Sequence, residues 1–244
     1  MGIYSSIAPW YDRLFPVGED QAEFLISRLR GAGARRVLDA GCGTGRHLEI
    51  LAEAGMEVMG LEPEADMADL AARRLRGRGK VLALPLESAG GLPEGPFDAT
   101  LCLGNTLAHL LDEEALARGL SALAASLRPG GLLITQSVHF EKVLREGRSP
   151  FEDKFLEGGL RFRRRYGFDR APGLLDFTLE LSGPDLDFAD TFPLHPWSLL
   201  ELEAALGNAG FELVEVRGDW KGTERRDDSP ATIIVARLDP SGDL

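Results

Sequence analysis

Three glycines spaced Gly41-x-Gly43-x-Gly45, with the carboxylate of Asp39 two residues ahead, form the chemically most informative segment of the chain. They belong to the run Val37-Leu-Asp-Ala-Gly-Cys-Gly-Thr-Gly-Arg-His47, which opens as a β-type stretch and leads into residues of helical period. Glycines let the backbone turn sharply at the carboxyl end of a strand and let a ligand approach the main chain, where open α/β sheets bind ligands. A glycine pair alone also marks ordinary turns, and it is the strand, turn, helix order that makes this one a candidate cofactor pocket. Glu62 follows Gly41 by 21 residues, a spacing at which a carboxylate accepts both hydroxyls of an adenosine ribose. An acid there also suits a helix N-terminus. A dinucleotide turn would read Gly-x-Gly-x-x-Gly, and the spacing here differs. An acid at the loop instead suits a cofactor with an ammonium and a sulfonium.

Alternating strand and helix patterns must position these residues. Apolar spacing predicts a leading helix within 17–31, a strand at 35–40, a helix after Gly45 reaching Gly55, a strand at 56–61 and a helix at 63–75. Further strands are expected at 81–84, 97–103 and 132–138, with a helix at 113–127 and a turn at Arg128-Pro-Gly-Gly131. Five such alternations imply a parallel sheet covered on both faces, a doubly wound α/β fold. From 139 to 195 the pattern changes to short alternating segments, among them 160–168 and 174–181, read as an antiparallel insertion after the fifth strand. A helix at 197–206 and strands at 211–216 and 232–236 close the chain, the last two as an antiparallel hairpin at a sheet edge.

Composition narrows the function. The chain has 244 residues with 39 Asp+Glu against 27 Lys+Arg, a net charge of -12 that disfavours a nucleic-acid substrate. No apolar run approaches the roughly 18 residues of a membrane span and the first residues resemble no leader, so a cytoplasmic protein without membrane contact is expected. Cys42 and Cys102 are too few for a metal cluster, and neither a metal nor a disulfide is expected. A small-molecule partner remains, and a homo-oligomer is allowed but not specified.

The loop Asp39-Ala-Gly-Cys-Gly-Thr-Gly45 resembles the signature loop of the class I S-adenosylmethionine-dependent methyltransferases. Glu62, Leu86-Glu87, Phe97-Asp98, Arg128-Pro-Gly-Gly131 and Ala209-Gly-Phe211 fall where that family places its later motifs, so the resemblance covers nearly the whole chain as a single domain. It implies a seven-stranded Rossmann-like sheet and S-adenosyl-L-methionine as cofactor. It also implies that Asp39, Gly41, Cys42, Gly43 and Gly45 lie beside the methionine moiety, with Glu62 on the ribose. Pro63 and Met67 would then pack near the adenine, Leu86 and Glu87 would meet its edge, and Tyr11, Leu103 and Gly104 would complete the pocket. The alternatives are a non-catalytic adenosine-cofactor-binding module and an NAD-dependent oxidoreductase.

On a finer scale, Leu103-Gly-Asn-Thr-Leu-Ala-His-Leu110 is similar to the segment after the fourth strand in the glycine/sarcosine N-methyltransferase-like branch, and residues 4–11 to its aromatic lid within 1–16. That branch carries an Arg-Asn-Tyr-Asp segment where this chain reads Val138-His-Phe-Glu141. Arg145, Arg148 or an arginine of the insertion would have to replace the missing cation. Candidate acceptor-side and catalytic residues are Asn105, His109 and His139, with His195, Tyr4, Trp10 and Tyr11 beside them, for methyl transfer to nitrogen or oxygen. Buried histidines more often hydrogen-bond than act as bases. In the basic run Arg161-Phe-Arg-Arg-Arg-Tyr166, strand alternation puts Arg161, Arg163 and Arg165 on one face, and a solvated face is the commoner outcome.

Overall fold

The computed structural model describes residues 3–170, 173–184 and 186–241. The first two residues of the expected lid, three positions of the expected insertion and the last three residues of the chain lie outside them.

The chain opens with α1 (Ile3–Ile7), a 3-10 turn at Ala8–Trp10, α2 (Tyr11–Leu14) and α3 (Glu19–Gly31). The doubly wound region then runs β1 (Arg36–Ala40), α4 (Arg46–Glu53), β2 (Glu57–Leu61), α5 (Ala65–Leu75), β3 (Gly79–Leu82), β4 (Phe97–Cys102), α6 (Glu113–Ala125) and β5 (Leu127–Val138). After it come α7 (Phe140–Glu146), a four-stranded antiparallel sheet of β6 (Lys154–Leu156), β7 (Leu160–Gly167), β8 (Leu175–Gly183) and β9 (Leu186–Leu194), then α8 (Leu199–Asn208), β10 (Phe211–Arg217) and β11 (Ala231–Leu238).

The main sheet has the order β10-β11-β5-β4-β1-β2-β3, with β11 antiparallel to both neighbours and the rest parallel. The period of two along each strand divides its core. Leu38, Ala40, Met59 and Leu61 face α6 and α8 through Leu120, Leu123 and Leu206, while Val37, Val58 and Leu101 face α3, α4 and α5 through Leu29, Leu48 and Leu75. Each fully buried aliphatic contributes roughly 1.5–3 kcal/mol by leaving water. Local signals set the helix starts: the Asp112 carboxylate accepts from Ala115 N (2.7 Å), and Ser198 with Glu201 forms a reciprocal capping box. No described helix is long and apolar enough to cross a membrane.

Three boundaries depart from the sequence reading. The third strand lies at 79–82, because Leu82 to Leu84 turns out of the sheet instead of extending it. The fifth strand already begins at Leu127, which pairs with Phe97, and absorbs Arg128-Pro-Gly-Gly131 as a register shift with Gly130 at φ +73. Helix α7 is an addition to the expected all-β insertion. Phe140 and Val143, one turn apart, bury its inner face in a third core that joins Ile7 and Leu14 to Phe162, Phe177 and Leu181. That core ties the N-terminal segment to the smaller sheet, and the cavity lies beneath their junction.

Candidate active site

A cavity of about 710 Å³ opens at the carboxyl ends of β1, β2 and β4. Its floor is the loop after β1. Gly41 and Gly43 take φ +87 and +55, and the amides of Gly41 and Cys42 both donate to Leu61 O (2.8 and 2.9 Å), which pins the loop to β2. A Cβ on Gly41 would stand 2.7 Å from Thr106 Oγ1, so this position requires glycine for space as well as for conformation. Gly45 packs against Ala71 of α5, where a Cβ would come to 2.8 Å, and it does not reach the cavity wall. Gly45 thus lets α4 start close against α5.

Glu62, 7% exposed, accepts from Gly43 N (2.9 Å) with Oε2 and from Glu64 N (3.1 Å) with Oε1, so the two amides orient the carboxylate. Burial raises its pKa and these amides oppose the rise. Asp39 is fully buried just behind the cavity wall, and neither carboxylate oxygen has a hydrogen-bond partner. Desolvation, followed by the charge of Glu62, pushes its pKa up to about 7. His47 Nδ1 lies 3.9 Å from Asp39, its Nε2 meets Gln21 Nε2 at 2.8 Å, and burial lowers its pKa to about 4. Both groups thus lean toward their neutral forms. Tyr11, Cys42, Pro63, Met67, Leu86, Glu87, Leu103 and Gly104 all line the same cavity.

Asn105 and His109 also face it, on the turn after β4. Asn105 adopts the left-handed conformation (φ 68), its Oδ1 accepts from Val138 N (2.7 Å), and Gly104 N donates to Gln136 Oε1 (2.9 Å), which locks the turn to the end of β5. His109 stacks on Phe192 (5.4 Å, 18°), with Tyr4 Oη 3.3 Å from its Nε2. Its ring still reaches solvent through the cavity, and loss of hydration lowers its pKa to about 4, so it is neutral at pH 7.

His139 is 2% exposed, with its Nδ1 3.1 Å from Ser229 O and its Nε2 3.6 Å from Glu141, and it is not among the cavity-lining residues. The residue follows β5 as the N-cap of α7, and its backbone and ring meet Pro230 O and Ser229 O, so it braces the loop before β11. His195 stacks on Trp197 (3.5 Å) away from the cavity, and Trp10 does not line it.

The sequence reading missed Asp12 and did not single out Arg164 among the arginines of the insertion. Asp12 accepts from Thr44 Oγ1 (2.5 Å) and pairs with Arg74 of α5, holding the N-terminal segment over the glycine loop. Arg161 and Arg163 pair with Asp153 and Glu180 on the outer face, whereas Arg164 shares the inner face with Phe162 and Tyr166 and lines the cavity. Period-two alternation held that signal: Phe162 and Tyr166 are the apolar members of the run, and Arg164 stands between them. Arg145 and Arg148 instead bind Asp227 O and Glu146.

A methyltransferase-domain family model matches residues 37–131, the stretch from the glycine loop to the start of β5. The chain is 30% identical over 222 residues to the glycine/sarcosine N-methyltransferase of Halorhodospira halochloris, covering 89% of this chain and 81% of that one. It is similar in fold to an S-adenosylmethionine-dependent methyltransferase from Clostridium acetobutylicum, with TM-score 0.82 and 15% identity over 98% of this chain and 100% of that one. An amino pentose methyltransferase from Micromonospora echinaspora, with S-adenosylmethionine bound, matches with TM-score 0.70 and 24% identity over 97% of both chains. The chain belongs to the class I S-adenosylmethionine-dependent methyltransferases, near the glycine/sarcosine N-methyltransferase branch. It is thus an enzyme that takes S-adenosylmethionine as methyl donor and a small molecule as acceptor, and the oxidoreductase and non-catalytic readings fall away. The residues present suit that cofactor: an unpartnered buried carboxylate at Asp39, an amide-oriented carboxylate at Glu62 and a glycine cradle between them.

Proposed function

We propose that this enzyme methylates an amine nitrogen of a small cytoplasmic molecule, with the antiparallel sheet and the N-terminal segment forming the acceptor side and nucleic acid excluded as substrate. The observation that carries this reading is the single cavity that joins the glycine loop and Glu62 to Asn105, His109, Tyr4 and the inner face of β7. S-adenosylmethionine, when bound, supplies an activated methyl group on a sulfonium, so the protein's work is positioning and desolvation. Glu62 would hold the ribose, with Met67 and Leu86 as apolar walls toward the adenine. A cationic group bound beside Asp39 would draw its carboxyl into the ionised form, and the charge would then favour that end of the cofactor.

On the acceptor side, the neutral His109 is too weak a base to take a proton from an ammonium. Its part is to accept an N–H of an amine that arrives unprotonated and so aim the lone pair, with Tyr4 fixing the ring. Lys154 and Arg164 in the same cavity repel an ammonium and favour that neutral form. Calorimetric titration with S-adenosylmethionine, S-adenosylhomocysteine and NAD in parallel tests the cofactor. A mass-spectrometric screen of amines and alcohols for the methylated product tests the acceptor atom. Methyl transfer to alcohols alone would overturn the nitrogen assignment.

A further inference from the structure

Two cations face the cavity without a counterion. Arg164 of β7 and Lys154 of β6 both line it, and among the described residues no carboxylate pairs with either, although Arg161 and Arg163 of β7 and Arg170 beyond its end each have one. Arg164 Nε is buried with no hydrogen-bond partner. Its guanidinium lies 4.1, 5.5 and 5.8 Å from the ring centroids of Phe151, Phe15 and Phe162. Lys154 donates one proton to Leu14 O (2.6 Å), which leaves the rest of its ammonium unused. Burial lowers the pKa of both groups, and for Lys154 the nearby Arg164 adds to this.

Both side chains are half-buried, and an unpaired charge withdrawn even in part from water is costly unless it is neutralised or paired, which for guanidinium near pH 7 leaves only pairing. The stacked rings hold its planar fork in place, which reduces the entropy lost when an anion binds. Beyond the cations the walls are apolar, at Phe177, Leu179 and Leu194. We infer that Arg164, assisted by Lys154, anchors an anionic group of the acceptor, and that the acceptor is an organic anion with an apolar body, not one as small as glycine or sarcosine. Only the word acceptor rests on the methyl-transfer reading; the anion site rests on the two cations and their surroundings.

The test is thermal unfolding of the full chain at fixed ionic strength with 3-phenylpropionate, phenyl phosphate and the uncharged 3-phenylpropionamide, alongside calorimetric titration with S-adenosylhomocysteine. At least one anion should raise Tm while the amide does not, and the stronger of the two names the group as carboxylate or phosphate ester. Arg164→Met should weaken that anion at least about tenfold, as expected for a charge-assisted pair, with S-adenosylhomocysteine affinity kept. Lys154→Met should weaken it less, and this variant carries the test if Arg164→Met does not fold. An amide that stabilises as well as the anions, or an Arg164→Met protein that keeps the anion's affinity, overturns the inference. Anion binding without S-adenosylhomocysteine binding would sink the methyl-transfer reading and leave the anion site standing, and the reverse pattern would sink the anion site alone.

Discussion

Replacing Asp39 by Asn should make the protein more stable at alkaline pH and a poorer binder of its cofactor. The Asp39 pKa is about 7 in the fold against 3.8 for the free side chain, because burial and Glu62 oppose its charge. The folded state therefore holds a proton that the unfolded chain releases. The stability this lends is complete below about pH 4 and is lost as pH rises through 7. A tenfold change in proton affinity corresponds to about 1.4 kcal/mol, so the cost of ionised Asp39 grows by about 3 kcal/mol between pH 5 and 8. The amide of Asn carries a constant burial cost instead. The stability difference between Asp39→Asn and wild type should thus widen by about 3 kcal/mol across that interval, or about 6–12 °C in Tm for a chain of this size. Thermal unfolding followed by circular dichroism from pH 5 to 8 measures it. Calorimetry should show S-adenosylmethionine losing more affinity than S-adenosylhomocysteine, since only the former carries the sulfonium charge. Parallel Tm curves for the two proteins would refute the reasoning, because they would mean that Asp39 carries no desolvated charge.

Three further substitutions probe the site. Glu62→Ala removes the carboxylate oriented by Gly43 N and Glu64 N and should weaken S-adenosylhomocysteine by roughly 1–3 kcal/mol in calorimetry. Gly41→Ala forces a Cβ to 2.7 Å from Thr106 Oγ1 at φ +87 and should cost about 1–2 kcal/mol in denaturant unfolding from conformation alone, with loss of cofactor binding besides. Asp12→Asn weakens the contacts to Thr44 and Arg74 that hold the N-terminal segment down. Faster proteolysis near residues 8–16 and a raised KM for S-adenosylmethionine are expected, and unchanged values of both would show that this clasp is not what closes the cavity.

The sequence by itself determined the parallel sheet, its closing hairpin and the glycine-loop half of the cavity, where we propose the cofactor binds. Those depend on local rules: a period of two or 3.6, and glycines whose backbone freedom is needed within a few residues of one strand end. Asp39 and Glu62 could be read because one connection of the fold fixes their separation. The acceptor half was decided by tertiary structure. His139 directly follows β5 and His109 lies in the turn after β4, yet one is buried against Ser229, 90 residues away, and the other faces Tyr4, 105 residues away. In the arginine run, alternation sorted the side chains into two faces, but which face turned inward depended on Phe15 and Phe151 lying over Arg164. Polar residues on a strand carry no mark of the element that will cover them. That element comes from distant chain, and the burial it imposes sets whether a histidine braces a loop or an arginine waits for an anion.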